Sequence, residues 1–507
     1  MAIWLGLMVC GRSQLFRDPG TLWHIVVGDR ILSSGRLIHS DPFSFTFGDR
    51  HWIAQWWLAE CVLALLHRIG GLDTVLLSTV TVLAGLYTWV AHRLITAGIH
   101  WLVSVLITVL AIAASAYHFH PRPHLSTIVF LGWTFACLSD FETGRLSLNK
   151  LFWLVPLYVV WTNMHGGMVG GVGTIAATVA GWTIMQMIGQ ESPRVAYWRL
   201  IPLSILIVVC GLAALVNPYA AELPRAWFAL MRSHVLPQVI VEHAPLQLSD
   251  PSAWIVLAFG AIYVGAFVGV LPKWPRVTWM IPLIWLCLAG TRVRHGPLFA
   301  ITAAIALGDM FPHIRWVTWL TRHGSELLRV ERPDASLGAK PSKAFGFRPA
   351  IIPACLILAA VVFQAGGVAV PVLGRGWARL DNTYWPVELV PKLRGYERTS
   401  SQGTPIFNDM LFGGFIIYFA PGLRVFIDDR CELYGDEQLL AYVRALRAEP
   451  AMVDQWAEAH RFGIALTRAG SSFDQYLRTA SGWEIVQEAP AATLFERRSR
   501  GDDRAHQ

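Results

Sequence analysis

A short stretch near the start of the chain places side chains that could exchange a proton close to one another. The sequence RDPGTLWH contains Arg17, Asp18 and His24. A carboxylate can act as a general base toward a hydroxyl group, and nearby cations favour its ionised form. Asp18 and His24 are therefore candidate catalytic residues, with Arg17 as a candidate binding residue. An alternative stays open, because Asp followed by Pro is also a typical helix start, where Asp18 would only cap the helix.

Three later turns carry further cationic or imidazole side chains. The turns are YHFHPRPHLS (117–126), WTNMHGG (161–167) and GTRVRHGP (290–297), and they contribute the candidate binding residues Arg122, His124, His165, Arg292, Arg294 and His295. Arginine donates paired hydrogen bonds to phosphate and stabilises charge on a leaving group. The alternatives are histidines that only shape tight turns and arginines that extend to lipid headgroups. No metal ligand is predicted, because the sequence contains neither an HExxH motif nor paired cysteines.

These turns belong to a chain with the composition of a membrane protein. Its 507 residues are 54% hydrophobic and 15% charged, whereas soluble domains contain about a quarter charged residues. Runs that approach the roughly 20 apolar residues needed to cross a bilayer occur at 2–16, 74–92, 100–117, 125–139, 150–163, 168–188, 200–216, 252–271, 277–290, 296–311 and 349–370. The predicted fold class is a polytopic α-helical membrane protein with about 11 transmembrane helices.

Basic residues predict how these runs cross the membrane. The run WIAQWWLAECVLALLHR (52–68) could be a span or an amphipathic surface helix. If it lies on the surface and the first loop is outside, every inward loop is basic, as the positive-inside rule requires. This arrangement puts the loop 312–348 inside and the His- and Arg-bearing turns outside. It also accounts for the net charge of +7 without nucleic acid, for which the sequence has no binding motif.

After residue 370 the sequence becomes more polar. The apolar segments RVFID (424–428), GIALT (463–467) and ATLFERR (492–498) alternate with helical stretches at 436–447 and 451–461. This pattern predicts a small extracytoplasmic α/β domain, 371–507, after a transmembrane domain, 1–370, whose first outer loop is 17–73. We expect Asn408, Asp409, Asp428, Asp429 and Arg430 to cluster at strand ends near the membrane-side cleft. The alternative is that Asp428, Asp429 and Arg430 only form a turn with local ion pairs.

An outward carboxylate beside cations suits transfer of a group from an anionic lipid-linked donor to a hydroxyl acceptor. Asp18 would be the general base, kept ionised by Arg17 and His24. Arg122 and Arg294 would hold the departing phosphate, with His165 as a third donor. Trp23 is expected at the lipid interface, where it would fix the depth of the first loop. The sequence contains no phosphate-binding glycine loop that would indicate a nucleotide donor.

The same motifs occur in an order that resembles a known superfamily. They are DPGTLWH (18–24), GDRIL (28–32), DPFSF (41–45), WIAQWWLAE (52–60), RPHLS (122–126), WTNMHGG (161–167), NPY (217–219), RVRH (292–295) and FND…GGF…VFIDDR…LYG (407–435). Together they resemble a bacterial branch of the GT-C superfamily, the polyprenyl-phosphate-sugar-dependent integral membrane glycosyltransferases. The resemblance extends over nearly the whole chain.

The resemblance implies an inverting glycosyltransferase with a polyprenyl-phosphate-linked sugar as donor and a lipid, glycan or protein as acceptor. It implies a multi-pass location in the bacterial cytoplasmic (inner) membrane, with the reaction at the outer face, and it carries the catalytic acid onto Asp18. Gly20 stands where relatives often have a second acid, so no metal-binding acid pair forms. No cofactor is therefore expected, and a divalent metal is the alternative. The alternative functions are a non-catalytic scaffold and a transporter or flippase of lipid-linked glycan, which would need polar mid-span residues and repeat symmetry.

Overall fold

The computed structural model describes residues 1–190, 197–330, 348–366, 368, 376–397 and 403–498. The first part of the chain is helical. Its helices are α1 (Ala2–Gln14), α2 (Pro19–Ser34), α3 (Trp57–Thr96), α4 (Trp101–Ala113), α5 (His124–Glu142), α6 (Leu148–Leu151), α7 (Leu154–Met164), α8 (Met168–Met187), α9 (Leu200–Leu212), α10 (Glu222–Arg232), α11 (Leu236–Val239), α12 (Pro251–Val268), α13 (Val277–Thr291), α14 (Gly296–Met310), α15 (Arg315–Arg322) and α16 (Arg348–Ala365).

The lengths and apolar surfaces of these helices are those of a multi-pass membrane protein. Within the described ranges, five helical segments are long and apolar enough to cross a membrane: α3, α5, α8, Tyr197–Leu215 and α12. The segment Val293–His313 and α15, which meet at a 54° bend, form a sixth if they are counted as one span. Each apolar run in the sequence contains a helix, but several are shorter than the roughly 20 residues of a full span. The membrane class is confirmed, and the number of spans stays a prediction.

A break in α3 separates the ambiguous run 52–68 from the apolar run that follows it. Gly70 and Gly71 leave the helical conformation, and Gly71 has a φ of +64°, which favours glycine. The helix therefore has two parts, one that starts at Trp57 and packs on α2, and one that ends at Thr96. A break at this position agrees with the interpretation in which 52–68 is a surface helix and the following run is a membrane span.

The His- and Arg-bearing turns lie at one end of the helical bundle. They precede the first residues of α5, α8 and α14. At the opposite end of α5 and α14, Arg145 bridges Asp140 and Asp309 at 2.7 Å each. Arg93 also pairs with Asp140 at 2.8 Å. The ends of the bundle thus differ in chemistry, because ion pairs close one end while the other carries the turns.

The C-terminal part forms a small α/β domain around a five-stranded sheet. Its elements are α17 (Val390–Glu397), β1 (Thr404–Asn408), α18 (Met410–Phe419), β2 (Leu423–Val425), α19 (Cys431–Arg447), α20 (Met452–His460), β3 (Ile464–Arg468), α21 (Ser472–Thr479), β4 (Trp483–Glu488) and β5 (Ala492–Arg497). The strand order is β2-β1-β3-β5-β4, in which β1 is parallel to β2 and β3, and β5 is antiparallel to β3 and β4. The predicted α/β class is confirmed, whereas the boundary at residues 370 and 371 lies outside the described residues.

This domain shares its hydrophobic core with the first loop of the chain. Trp23 of α2 and Trp52 of the following segment belong to the same buried cluster as Phe407 and Phe415 of the sheet domain. A Cβ built on Gly414 would lie 2.2 Å from the carbonyl oxygen of Pro19, so only glycine permits α18 to approach α2 this closely. Trp23 is 1% exposed. The expectation that Trp23 lies at the lipid interface is therefore wrong, because the sheet domain covers it.

A buried ion cluster holds the two parts together. The Arg430 guanidinium is fully buried and pairs with Asp41 of the first loop and Asp428 of the sheet domain, each at 2.7 Å. It also lies over the rings of Phe43 and Trp52. Removal of one partner from a buried pair leaves an uncompensated charge. The cluster therefore fixes the position of the loop after β2 relative to α2.

Candidate active site

A cavity of about 940 Å³ lies between the turn-bearing end of the helical bundle and the sheet domain. Nine candidate residues on four segments of the sequence line it together: Arg17, Asp18, His24, Arg122, His124, His165, Arg292, Arg294 and His295. The structure therefore brings the predicted residues to one site. Their individual roles stay predictions.

Asp18 uses its two carboxylate oxygens differently. Oδ1 accepts hydrogen bonds from the backbone N–H of Gly20 at 2.7 Å and of Thr21 at 3.3 Å, which caps α2. Oδ2 accepts a hydrogen bond from Arg122 Nη1 at 2.8 Å. Asp18 therefore caps α2 through Oδ1, as the alternative interpretation predicted, and it also forms an ion pair with Arg122 through Oδ2.

The cation that contacts Asp18 is Arg122, and not Arg17 or His24, which lie near Asp18 in the sequence. Arg17 points away and pairs with Asp381 at 2.5 Å. His24 lies buried on α2, where its Nδ1 is 2.9 Å from Glu60 Oε1. Neither residue forms the expected contact with Asp18, because α2 starts at Pro19 and carries His24 to the side that packs against α3.

Arg122 lies among carboxylates from three distant parts of the chain. Its Nη1 is 2.8 Å from Asp18 and 3.4 Å from Glu242, and its Nη2 is 3.7 Å from Asp429. Burial works against the charged form, but these carboxylates raise the pKa of Arg122. In the same way, burial opposes ionisation of Glu242, yet Arg122 holds the pKa of Glu242 below its ordinary value. The guanidinium therefore stays charged and links the three carboxylates.

Gly20 provides the space for this guanidinium. A Cβ built on Gly20 would lie 2.7 Å from Nε of Arg122 and 2.8 Å from its central carbon. Any larger residue at the second position of α2 would displace the arginine. Gly20 at the start of α2 thus leaves room for an arginine from the turn before α5.

Asp429 reaches the site from the loop that follows β2. Its Oδ1 accepts a hydrogen bond from the indole Nε1 of Trp23 at 2.7 Å. Burial raises the pKa of Asp429 to about 7; Arg122 works against the rise, while Asp18 adds to it. A carboxyl group with this pKa can take up and release a proton near neutral pH.

The cavity is also lined by the cationic turn before α14. Arg294 Nη1 donates a hydrogen bond to His243 Nε2 at 2.9 Å. Burial, reinforced by Arg294, lowers the pKa of His243 to about 3, so this histidine is neutral and accepts the bond. Within the part of the chain that the structure describes, neither Arg292 nor Arg294 forms an ion pair with a carboxylate. Among these residues, neither guanidinium therefore has a carboxylate in direct contact, although Glu242 is near enough to Arg294 to favour its charged form.

The histidines of the site serve mainly to hold the turns in place. His165 Nδ1 is 2.8 Å from the hydroxyl of Thr127, and it accepts a hydrogen bond from the backbone N–H of Gly167 at 3.0 Å. His124 is hydrogen bonded at 2.5 Å to the carbonyl oxygen of His118. His295 Nδ1 is 3.1 Å from the carbonyl oxygen of Leu288. These contacts hold His165 and His295 against α5 and α13 and close hydrogen bonds within the turns of His124 and His165.

Sequence reasoning did not assign a site role to four residues that line this cavity, His118, Glu242, His243 and Asp429. Glu242 and His243 lie in the loop after α11, outside the turns from which the candidate residues were taken. Asp429 was expected at a strand end, but its contact with Trp23 depends on how the sheet domain docks on α2. The two adjacent acids of VFIDDR were the signal that could have identified it, because one pairs with Arg430 and the other is left for the cavity.

The residues at this position do not fit a divalent metal. A metal would need the carboxylates of Asp18, Glu242 and Asp429 as ligands, but the Arg122 guanidinium lies between them. The described residues also contain no cluster of three or more His, Cys, Asp or Glu side chains arranged to hold a metal ion. Arg122 thus supplies the positive charge that a metal would supply in an acid-pair site.

No family model and no curated protein matches the chain in sequence. Among solved structures it is similar to ArnT from Cupriavidus metallidurans in the apo state, with a TM-score of 0.52 and 12% identity over 97% of this chain and 96% of ArnT. The same protein bound to undecaprenyl phosphate gives a TM-score of 0.51, with 12% identity over the same shares of both chains.

A third similar structure is the Archaeoglobus fulgidus oligosaccharyltransferase, tethered with an acceptor peptide that contains the NVT sequon. It aligns with a TM-score of 0.49 and 11% identity over 89% of this chain. The chain spans 65% of that protein's length. Because ArnT aligns over nearly all of both chains, the present chain shares its fold, the GT-C membrane fold that the order of the motifs predicts.

Proposed function

We propose that the protein is a membrane glycosyltransferase that moves a sugar from a polyprenyl-phosphate donor to a hydroxyl group of an acceptor. The observation that carries this proposal is the cavity itself. It combines arginines that form no direct ion pair among the described residues, a carboxylate–guanidinium group around Arg122 and an apolar wall. A ligand that matches all three is an amphiphile with a phosphate between an apolar tail and a polar head.

The donor phosphate would bind at the turn before α14. Arg292 and Arg294 offer guanidinium groups to an anion, and His243, being neutral, does not compete for it. Charge-assisted hydrogen bonds from arginine are short and strong, and their strength increases where water is excluded. As the sugar leaves, the charge on the phosphate oxygen increases, and the same arginines stabilise it.

The lipid tail has an apolar wall to follow. Beside the arginines, the cavity is lined by Leu230, Met231, Val239, Ile240, Trp285, Leu288 and Leu298. Trp285 and Leu288 lie on α13, an apolar helix of the bundle. A polyprenyl chain could therefore leave the cavity along α13 while its phosphate stays at Arg294. The similarity in fold to ArnT, which has been solved with undecaprenyl phosphate, supports this donor class.

The reaction we propose is a single displacement. The acceptor oxygen attacks the anomeric carbon from the side of Asp18 and Asp429, and the bond to the phosphate oxygen breaks on the side of Arg294. Attack opposite to the leaving group inverts the configuration of the sugar. Since Arg122 links the carboxylates, no divalent metal and no other cofactor takes part.

The proposed location is the cytoplasmic membrane of a bacterium, with the cavity and the sheet domain on the outer face. This orientation keeps the basic loops inside. It makes the acceptor a lipid, glycan or protein of the cell envelope. A reporter that works only in the cytoplasm should be inactive when it is fused after Gly376.

The test uses the full-length chain in nanodiscs of bacterial lipid. Undecaprenyl phosphate carrying radiolabelled glucose, galactose or mannose is supplied with a bacterial envelope extract as the source of acceptors. We expect binding of undecaprenyl phosphate, followed by transfer of label from the lipid fraction to a product. A correctly folded protein that binds no undecaprenyl phosphate would exclude the proposed donor class and the function built on it.

A further inference from the structure

The cavity contains two carboxylates that could accept the proton of the acceptor hydroxyl, and their surroundings differ. Asp18 is engaged on both oxygens, by two backbone N–H groups and by Arg122. Asp429 is engaged closely only on Oδ1, by Trp23. We propose that Asp429, supplied by the C-terminal sheet domain, is the general base of the transfer, and that Asp18 positions Arg122. This inference rests on the proposed function.

The lone pairs of the second Asp429 oxygen remain available. Oδ2 lies 3.7 Å from Arg122 Nη2, which is longer than a hydrogen bond. The Asp429 side chain is 10% exposed, and it lines the cavity. An acceptor hydroxyl at this point could therefore donate a hydrogen bond to Oδ2. At Asp18, by contrast, the same hydroxyl would have to compete with the ion pair to Arg122.

The topology of the sheet places the acceptor on this side. Strands β1, β2 and β3 run parallel, so their carboxyl ends meet at one edge. The residues that follow or end these strands and line the cavity are Asp409, Asp429 and Arg468. Ligands of open α/β sheets bind beyond the carboxyl ends of the strands. The sheet domain therefore offers its binding edge to the acceptor in the same cavity that the donor arginines line.

The protonation behaviour of Asp429 agrees with this assignment. Burial raises its pKa to about 7, whereas the Trp23 hydrogen bond favours the ionised form and limits the rise. A base is most effective when its pKa lies near the working pH, since it is then largely ionised and still binds a proton well. Asp429 meets that condition at neutral pH.

The proposed transfer forms one bond to the anomeric carbon and breaks another. The acceptor oxygen forms a bond to the anomeric carbon while its proton moves to Oδ2 of Asp429. The bond between the anomeric carbon and the phosphate oxygen breaks, and its electron pair stays on the phosphate. The products are a glycoside, a polyprenyl phosphate held by Arg294, and a protonated Asp429. Release of that proton to water restores the carboxylate, and nothing is oxidised or reduced.

The decisive comparison is Asp429→Asn against Asp436→Asn. Asparagine at position 429 keeps the oxygen that accepts from Trp23 but cannot take a proton. We expect kcat to fall about 10²- to 10⁴-fold, with binding of undecaprenyl phosphate within twofold of the wild type. Asp436 is exposed on α19, the helix that follows the loop of Asp429, and Asp436→Asn should retain full activity. A folded Asp429→Asn variant with kcat within threefold of the wild type would overturn the assignment.

A second variant keeps the test decisive if Asp429→Asn does not fold. Trp23→Phe removes the hydrogen bond that favours ionised Asp429, so the pKa of Asp429 should rise. The acidic limb of the kcat profile should then move to higher pH. An unmoved limb in a folded, active Trp23→Phe variant would show that another group is the base. If the wild type binds undecaprenyl phosphate but transfers no sugar from any donor, the proposed function itself fails, and the base assignment fails with it.

Discussion

The guanidinium of Arg122 occupies the space that a side chain at Gly20 would fill, since a Cβ there would lie 2.7 Å from Arg122 Nε. Gly20 and Arg122 are 102 positions apart in the sequence, yet the guanidinium fits at this position only because residue 20 has no side chain. The absence of a side chain at Gly20 leaves room for the guanidinium, which lies as a fixed cation between Asp18, Glu242 and Asp429.

Substitution of this glycine should therefore affect the site rather than the helix. Alanine within a helix usually stabilises it by about 0.5–1 kcal/mol relative to glycine. Gly20→Ala should instead displace Arg122 and lower transfer at least tenfold. Gly173→Ala is the matched control, because a Cβ at Gly173 meets nothing within 4 Å. Sugar transfer and thermal unfolding of both variants would check this, and equal activities would mean that Arg122 can move without consequence.

The donor arginine gives a prediction about binding. Arg294→Ala should weaken binding of undecaprenyl phosphate about 10- to 100-fold, because a hydrogen bond to a charged group contributes about 1.5–3 kcal/mol. The variant should still fold, since the guanidinium donates only to neutral His243. Arg225→Ala, an exposed position on α10, is the control. Binding can be measured in nanodiscs, and unchanged affinity in Arg294→Ala would remove this residue from the donor site.

A chelator should leave the reaction unchanged. Since the Arg122 guanidinium already links the carboxylates, excess EDTA should change neither binding of undecaprenyl phosphate nor the rate of transfer by more than twofold. Added Mg²⁺ or Mn²⁺ should not increase the rate. Loss of transfer in EDTA, with recovery on addition of a divalent cation, would contradict the role assigned to Arg122.

The sequence predicted the membrane class, the α/β domain and the positions of the cationic turns, because each depends on local pattern. Apolar runs identify helices, and His and Arg at helix ends are visible in the sequence around Arg122, His165 and Arg294. What the sequence could not show is which partner each side chain meets. Arg17 is adjacent to Asp18 yet pairs with Asp381, while Asp429 is 411 positions away and shares Arg122 with it. Such contacts depend on how the sheet domain docks on α2.

The buried Asp429 carboxyl should also make stability depend on pH. Its pKa is raised from an ordinary value of 3.8 to about 7, so the folded state binds the proton more tightly than the unfolded state. The contribution of Asp429 to stability is therefore full below about pH 4 and is lost as the pH rises through about 7. Asp429→Asn removes this pH-dependent loss of stability, because asparagine does not titrate. Its apparent melting temperature should rise relative to the wild type between pH 5 and pH 8, and a constant difference would contradict the raised pKa.

Asp429 is surrounded by charged and titratable side chains from several elements. Arg122 lies before α5, Asp18 and Trp23 are at the start of α2, Tyr384 precedes α17, and Asp428 and Cys431 flank the acid in the chain. Among these, Arg122 lowers the pKa of Asp429, whereas Asp18 and Asp428 raise it. Neutralisation of Asp18 must therefore move the titration of Asp429 downward.

This coupling makes Asp18→Asn a test that separates the two candidate bases. Asparagine caps a helix about as well as aspartate, so α2 should stay in place. If Asp429 is the base, the variant loses only a charge that raises the pKa of Asp429, and it frees Arg122 to approach Asp429 more closely. The acidic limb of the kcat profile should shift to lower pH. Because a base with a lower pKa is weaker, we expect the plateau rate to fall by less than about tenfold. If Asp18 is itself the base, as the sequence predicted, transfer should instead be lost by about 10²-fold or more at every pH.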